Sequence, residues 1–453
     1  VLLNNGATVS RNVLVNGTMQ FNQSGTRLTI STTVTGTGAL SLTNSGTLNL
    51  NGATVAPNTV VLDMTTTAAA GTLQIQNGSG QLRVGFSGIG RLDVTGGSVS
   101  NARGDLGSNA GSLGMATVSG GTWANSELRV GNYGTGMLNV TGGIVTSGVS
   151  YLATLGGVGT ATVSSGTWAS SSNLYVGNIG IGTLDITGGS VTNFGGIIAL
   201  MQGSVGTATV SGGTWAGSTQ LTVGNGGIGT LNVTGGSVTN SEGNLGYLGS
   251  GQGTATISGG TWASSSYLAV GNTGIGTLNV TGGSVTNLDA YVGYLGGLGT
   301  ATVSSGTWAS SGNLAVGVDG TGTLTMTGGL VSVGGTLSMG TYGTIDVRPG
   351  GTLQIGTGGT TGELAANLVN NGALVFNRSG TSGSLGVISG SGSLSKLGSG
   401  TLTLTGSNSY TGGTILTAGA INLGSANAIG PTGTISFTGG TLQFSAANTN
   451  DYS

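Results

Sequence analysis

Side chains able to do chemistry are scarce in this chain of 453 residues. Histidine and cysteine are both absent, which removes the commonest general base and the thiolate nucleophile. Nine cations and eleven acids remain, and Lys396 is the only lysine. Two carboxylates about 5 to 10 Å apart could still hydrolyse a glycosidic bond. Asp93 and Asp185 share a ladder of the repeat described below, but four coils set them about 19 Å apart. Asp289, Asp319, Asp346 and Glu363 are isolated. A polysaccharide-cleaving cluster of Asp, Arg and Lys is not assembled by any spacing in the chain. We therefore expect no enzyme and no cofactor. Metal-ligand spacing is missing as well, including the aspartate-bearing nonapeptide of calcium-loaded β-rolls.

Other groups could bind rather than react. Arg83, Arg91, Asp93, Arg103, Asp105, Glu127 and Arg129 put seven of the 20 charges within 47 residues. Arg91 with Asp93, and Glu127 with Arg129, share a strand face at i, i+2, which predicts weak surface pairs. The sharper expectation is a lateral contact patch formed by Arg83, Arg91, Asp93, Glu127 and Arg129. The five tryptophans, Trp123, Trp168, Trp215, Trp262 and Trp308, lie 45 to 47 residues apart. Stacked two coils apart they could line up with successive sugars of a glycan. They alternate with valine at a position that the pattern turns inward, so core packing is the expectation. Pairs such as Thr160/Thr162, Thr207/Thr209 and Thr254/Thr256 are reminiscent of flat ice-binding faces. Asp185, Asn232 or Asn279 interrupts that lattice in the intervening coils.

What must position these residues is a repeat. Gly253-Thr-Ala-Thr-Ile-Ser-Gly-Gly-Thr-Trp262 is followed by Gly276-Thr-Leu-Asn-Val-Thr-Gly-Gly-Ser-Val285, and both phrases recur. Opening glycines fall at Gly90, Gly114, Gly136, Gly159, Gly182, Gly206, Gly229, Gly253, Gly276, Gly299 and Gly322, a step of 22 to 24 residues. Fixed periods of this size mean stacked repeats. Alternation turns Leu184 and Ile186 inward and Thr183 and Asp185 outward. Leu231 and Leu278 fall on the same inner ladder as Leu184. A third strand follows each turn, as in Leu174-Tyr-Val176. The expected fold is all-β: a parallel β-solenoid, a right-handed β-helix with about 23 residues and three short strands per coil.

Composition agrees with stacking. The 99 glycines carry no period of three and only three prolines accompany them, so they punctuate turns. Like charges laddered about 4.8 Å apart would repel, whereas Thr, Ser and Asn can stack and hydrogen-bond. No basic surplus points to nucleic acid, and no apolar run approaches a membrane helix of about 18 residues. The organisation expected is irregular coils over 1–80, Trp/Val double coils over 81–335, irregular coils over 336–389 and a distinct repeat over 390–453. Residues 15–50 resemble 370–404, so the same kind of coil brackets the tryptophan block. A chain that starts at Val1 without a signal peptide reads as a segment of a longer one.

Gly400-Thr-Leu-Thr-Leu-Thr-Gly406, running on to Tyr410-Thr-Gly-Gly-Thr414, resembles the autotransporter-associated β-strand repeat of bacterial surface proteins. The tryptophan block is similar to the repeat shared by type V secretion passengers and proteins bearing a PEP-CTERM sorting signal. The resemblance implies export and a β-helical passenger displayed outside the cell. The function expected from it is a structural stalk, fibre or matrix element, with copies joining end to end or laterally. The alternative is an adhesin that takes a cell-surface glycan on the solenoid flank.

Overall fold

A computed structural model describes residues 80–384 and 386–448, together with the backbone of short strands between 8 and 74. Strands are the only regular elements among the described residues, and they pair in parallel with their counterparts one coil on. The architecture is a parallel β-solenoid. Contacts divide the chain into two compact units, 1–232 with 236–238, and 233–235 with 239–453.

In the first unit, three strands make a coil, here called walls one, two and three. Wall one is Ile181–Ile186, wall two is Ser190–Asn193 and wall three is Gly196–Ile198 in one such coil. Gly159 faces Gly182, and Gly182 faces Gly206, so the glycine step counted in the sequence is the coil. Alternation sends Leu184 and Ile186 into the interior and leaves Thr183 and Asp185 partly exposed. These opening glycines are sterically required: a Cβ on Gly182 would lie 2.1 Å from the Gly177 amide nitrogen at the tight corner. Gly177 itself sits at φ 78°, while Ala153 (61°) and Ala199 (59°) take that corner in neighbouring coils. A side chain there costs about 1–2 kcal/mol of backbone strain.

The Trp/Val alternation is one column of a three-column pattern. Trp168 is followed in register by Val191 and then Trp215. On wall one the same coils carry Ala161, Leu184 and Ala208, and on wall three Leu174, Gly196 and Leu221. A coil is thus Ala–Trp–Leu or Leu–Val–small. The small residue is what admits the indole of the next coil: a Cβ on Gly196 would lie 3.0 Å from Trp215 Cζ2. Large and small residues thus interdigitate between coils.

The second unit begins with the same grammar. Ala255, Leu278, Ala301 and Leu324 succeed one another on wall one, and Trp262, Val285, Trp308 and Val331 on wall two. Beyond that the coil shortens. Ala373 faces Ser393, twenty residues on, and Leu394 faces Thr414, again twenty on. The same twenty-residue step appears near the other end of the chain, where Arg27 faces Thr47. A period near 23 therefore holds for the tryptophan coils, and turns of twenty residues lie on both sides of them.

Candidate functional site

All five tryptophans are buried, none more than 1 % exposed, so none offers a ring face to a ligand. Leu184, Leu231 and Leu278 are buried as well. Each indole has a partner problem to solve, because a buried N–H without an acceptor is costly. Trp123 Nε1 donates to Asn101 Oδ1 at 2.8 Å, Trp215 to Asn193 at 2.5 Å, Trp262 to Asn240 at 2.7 Å and Trp308 to Asn287 at 2.8 Å. The acceptor belongs in every case to the preceding coil. Its amide nitrogen is handed onward: Asn240 Nδ2 donates to Ser264 Oγ at 3.0 Å and Asn287 Nδ2 to Ser310 Oγ at 2.8 Å. An indole, a carboxamide and a hydroxyl thus form a buried polar seam beside the apolar core.

Two interruptions of that seam stand out. Ser147 occupies the asparagine position below Trp168, and Trp168 Nε1 has no partner. Ser147, Ser150 and Ser170 bond to one another instead, at 2.5 to 3.0 Å. Gly217 occupies the serine position above Asn193, and Asn193 Nδ2 is left unpaired. The sequence carried a usable signal for the seam, an asparagine 21 or 22 residues before four of the five tryptophans. Periodicity alone does not say that those two positions touch.

The charged cluster is divided between two walls. Arg91 and Asp93 lie on wall one, 2.8 Å apart. Arg83, Asp105 and Arg129 succeed one another in one column of wall three, with Gln81, Arg103 and Glu127 beside them. Arg103 pairs with Asp105 at 2.9 Å and Arg129 with Glu127 at 2.7 Å. Signs alternate both along each strand and between coils, which turns a stacking liability into mutual attraction. The wall-three column continues into Tyr151 and Tyr175, stacked at 5.0 Å with their planes 6° apart.

Three further carboxylates are engaged singly. Asp346 pairs with Arg348 at 2.6 Å, Asp289 accepts the Asn313 backbone N–H at 2.8 Å and Glu242 accepts the Tyr267 hydroxyl at 3.1 Å. Burial pushes the Tyr267 phenol up to about 12, and the Glu242 carboxylate reinforces the shift. Asp185 stands in register between Thr162 and Thr209. No group of three potential metal ligands occurs among the described residues.

In the shorter coils of the second unit the interior polar groups include two cations along with Asn370 and Asn408. Lys396 is buried in register with Phe376 and Leu416, its ammonium donating to the Gly398 carbonyl. Burial first, and Arg378 second, lower its pKa from the ordinary lysine value. The Arg378 guanidinium donates to the carbonyls of Gly362, Thr360 (2.6 Å), Thr381 (2.9 Å) and Gly380 (3.2 Å). Tyr410 is also buried, its hydroxyl 2.7 Å from Thr414 Oγ1. Backbone carbonyls hold both cations, as they also receive the amide nitrogens of Asn370 and Asn408.

No helix among the described residues is long and apolar enough to cross a membrane. No curated protein and no solved structure matches the chain. Residues 394–423, which include Lys396 and Tyr410, match the family model described as passenger-associated-transport-repeat. The chain carries that repeat within a parallel β-solenoid, and the two together fit an autotransporter-associated repeat passenger protein.

Proposed function

We propose that this chain is a secreted surface passenger whose solenoid is itself the working part, a stalk, fibre or matrix element outside the cell. The passenger repeat at 394–423 is the observation that carries the proposal. The character of the interior supports it: inner side chains are spent on holding the next coil, and four of the acids, Asp93, Asp105, Glu127 and Asp346, are each paired with an arginine two residues along the chain. Association of copies, end to end or side by side, belongs to the same proposal. The test is to express the gene in its own host and treat intact cells with a protease. Loss of the chain from intact cells, with a cytosolic marker untouched, is the expected result. Protection of the chain until the cells are lysed overturns it.

An adhesin is the second possibility, favoured by one observation. An open depression of about 520 Å³ lies where walls two and three meet, lined by Asn125, Ser126, Ser147, Gly148, Ser170 and Ser171 among others. Its lining is uncharged, with Ser126, Thr146, Ser171 and Thr192 set among more apolar surface that includes Gly148 and Ala169, a mixture that suits a neutral saccharide. A neutral-glycan array would give hits that Ser171→Trp, a substitution at an exposed lining position, abolishes; an array without hits removes the possibility.

A further inference from the structure

The stacked tyrosines on wall three of the first unit are side chains able to join covalently to a neighbour. Tyr151 and Tyr175 stand in register on successive coils, their ring centroids 5.0 Å apart and their planes 6° from parallel. Arg129 precedes Tyr151 in the column and Ile197 follows Tyr175, so among the described residues each ring stacks only on the other. The Asn173 amide, just before Tyr175 on the same coil, donates to the Tyr175 hydroxyl at 2.9 Å and fixes the outer end of that ring. Both rings are partly exposed, which opens them to an oxidant in solvent. Two other tyrosine pairs differ. Tyr267 and Tyr291 meet edge to face, at 6.3 Å and 72°. Tyr291 and Tyr294 stack at 4.4 Å and 24°, but they belong to one coil.

We propose that Tyr151 and Tyr175 are a site of oxidative cross-linking, at which hydrogen peroxide acting through a haem peroxidase joins them as dityrosine and ties one coil to the next. Each phenol gives up one electron and its hydroxyl proton, leaving two phenoxyl radicals. A carbon–carbon bond then forms between ring carbons ortho to the two oxygens. The hydrogens on those carbons pass as protons, through water, to the oxygens, which restores both rings and both hydroxyls. The peroxide takes up the two electrons and two protons and leaves as two molecules of water. Geometry selects this pair. Coupling of two such radicals directs the new bond perpendicular to both ring planes, and near-parallel rings on one ladder offer each other that face. Their 5.0 Å separation is about one strand spacing, so a small rotation of the two side chains brings the ortho carbons together. The fold removes most of the entropy cost of the encounter. An edge-to-face pair such as Tyr267 and Tyr291 points a C–H at the partner's face instead. A bond between Tyr291 and Tyr294 would close a loop within one coil and join nothing across coils. In a chain without cysteine, dityrosine supplies a covalent tie between coils where no disulfide can form. The inference goes beyond the surface role proposed above and does not depend on it.

The experiment is to treat the dilute, purified full chain with hydrogen peroxide and a haem peroxidase, recover the monomer from a denaturing gel and map it by mass spectrometry. Chymotrypsin cuts after Leu155 and Trp168, between the two tyrosines, so the link shows as one species carrying both peptides, lighter than their sum by two hydrogens. The expected result is that species in the wild-type monomer, its loss in Tyr151→Phe and in Tyr175→Phe, and its retention in Tyr133→Phe, a change at an exposed tyrosine of the same unit. Phenylalanine keeps the stack, and identical far-ultraviolet circular dichroism in all four proteins excludes misfolding as the cause. Oxidation of the chain unfolded in urea is expected to give about tenfold less of the linked species, since the two rings are no longer held together. A wild-type monomer without the linked species overturns the inference, as does dityrosine found only between copies or only at Tyr291 and Tyr294. Equal yields from folded and unfolded chain also overturn it, because the stack would then play no part. Secretion to the surface stands or falls separately, on the protease treatment of intact cells.

Discussion

Beneath Trp262 lie Asn240, whose carboxamide takes the indole N–H, and Gly243, which leaves room for the ring. Beneath Trp168 lie Ser147 and Ser150 in the equivalent places, and the indole N–H finds nothing. Both rings are buried to the same degree. The contrast separates two contributions that ordinarily travel together. Apolar burial keeps a tryptophan in the column whatever lies below it, whereas the hydrogen bond fixes which residue the preceding coil must supply.

The largest effect that would break this comparison is on the indole N–H itself. Trp262→Phe and Trp168→Phe lose the same ring volume, but only the first strands a buried carboxamide oxygen. The first is expected to be the more destabilising by about 1–3 kcal/mol in urea unfolding. Equal losses would mean that the Asn240 bond contributes nothing. Restoring the seam is expected to act in the opposite sense and more weakly. Ser147→Asn combined with Ser150→Gly gives Trp168 its acceptor and is expected to raise stability by about 1 kcal/mol. Gly217→Ser, which offers Asn193 Nδ2 an acceptor, is expected to add less, about 0.5 kcal/mol, because part of any gain goes into fixing the new side chain. A drop in the unfolding midpoint of either variant would show that the interrupted coils are packed for serine and glycine rather than merely missing a bond.

The smallest effect is a pH dependence at Tyr267 in the second unit. Tyr267 has its proton held more firmly folded than unfolded, so its neutral form contributes stability that is complete below about pH 10. The contribution is lost as pH rises through the folded value of about 12. Tyr267→Phe is therefore expected to flatten the fall in melting temperature between pH 10 and pH 12, with little change at pH 7. A wild-type and variant that decline in parallel over that window would remove Tyr267 as the cause.

Much of the fold was legible because one number, the 23-residue step, sets which residues stack. Once Gly159 faces Gly182, the inward placing of Leu184 and Ile186 follows from strand alternation. What the step did not disclose lies where two walls meet. Ala161 and Gly196 look like ordinary small residues in a glycine-rich chain, and their purpose appears only when an indole from the next coil is laid across them. The charged cluster shows the same gap. Arg91 and Arg103 are close in sequence yet belong to different walls, because a corner intervenes every seven or eight residues. The cations of the shorter coils were legible as isolated charges but not as buried ones, since a ladder with Phe376 and Leu416 on either side of Lys396 depends on a twenty-residue register.

The two-coil pattern also constrains how such a gene can change length. Loss or duplication of one 23-residue unit would bring like coils together, setting Trp over Trp without the glycine that receives an indole, or Leu over Leu with nothing to fill the space above. Recombination between equivalent points two coils apart keeps every neighbour it had before. Viable length variants of this stretch should therefore differ by multiples of about 46 residues, adding or removing some 9.6 Å at a time. The register of the core, rather than any demand from outside, would then be what sets the increments available to selection.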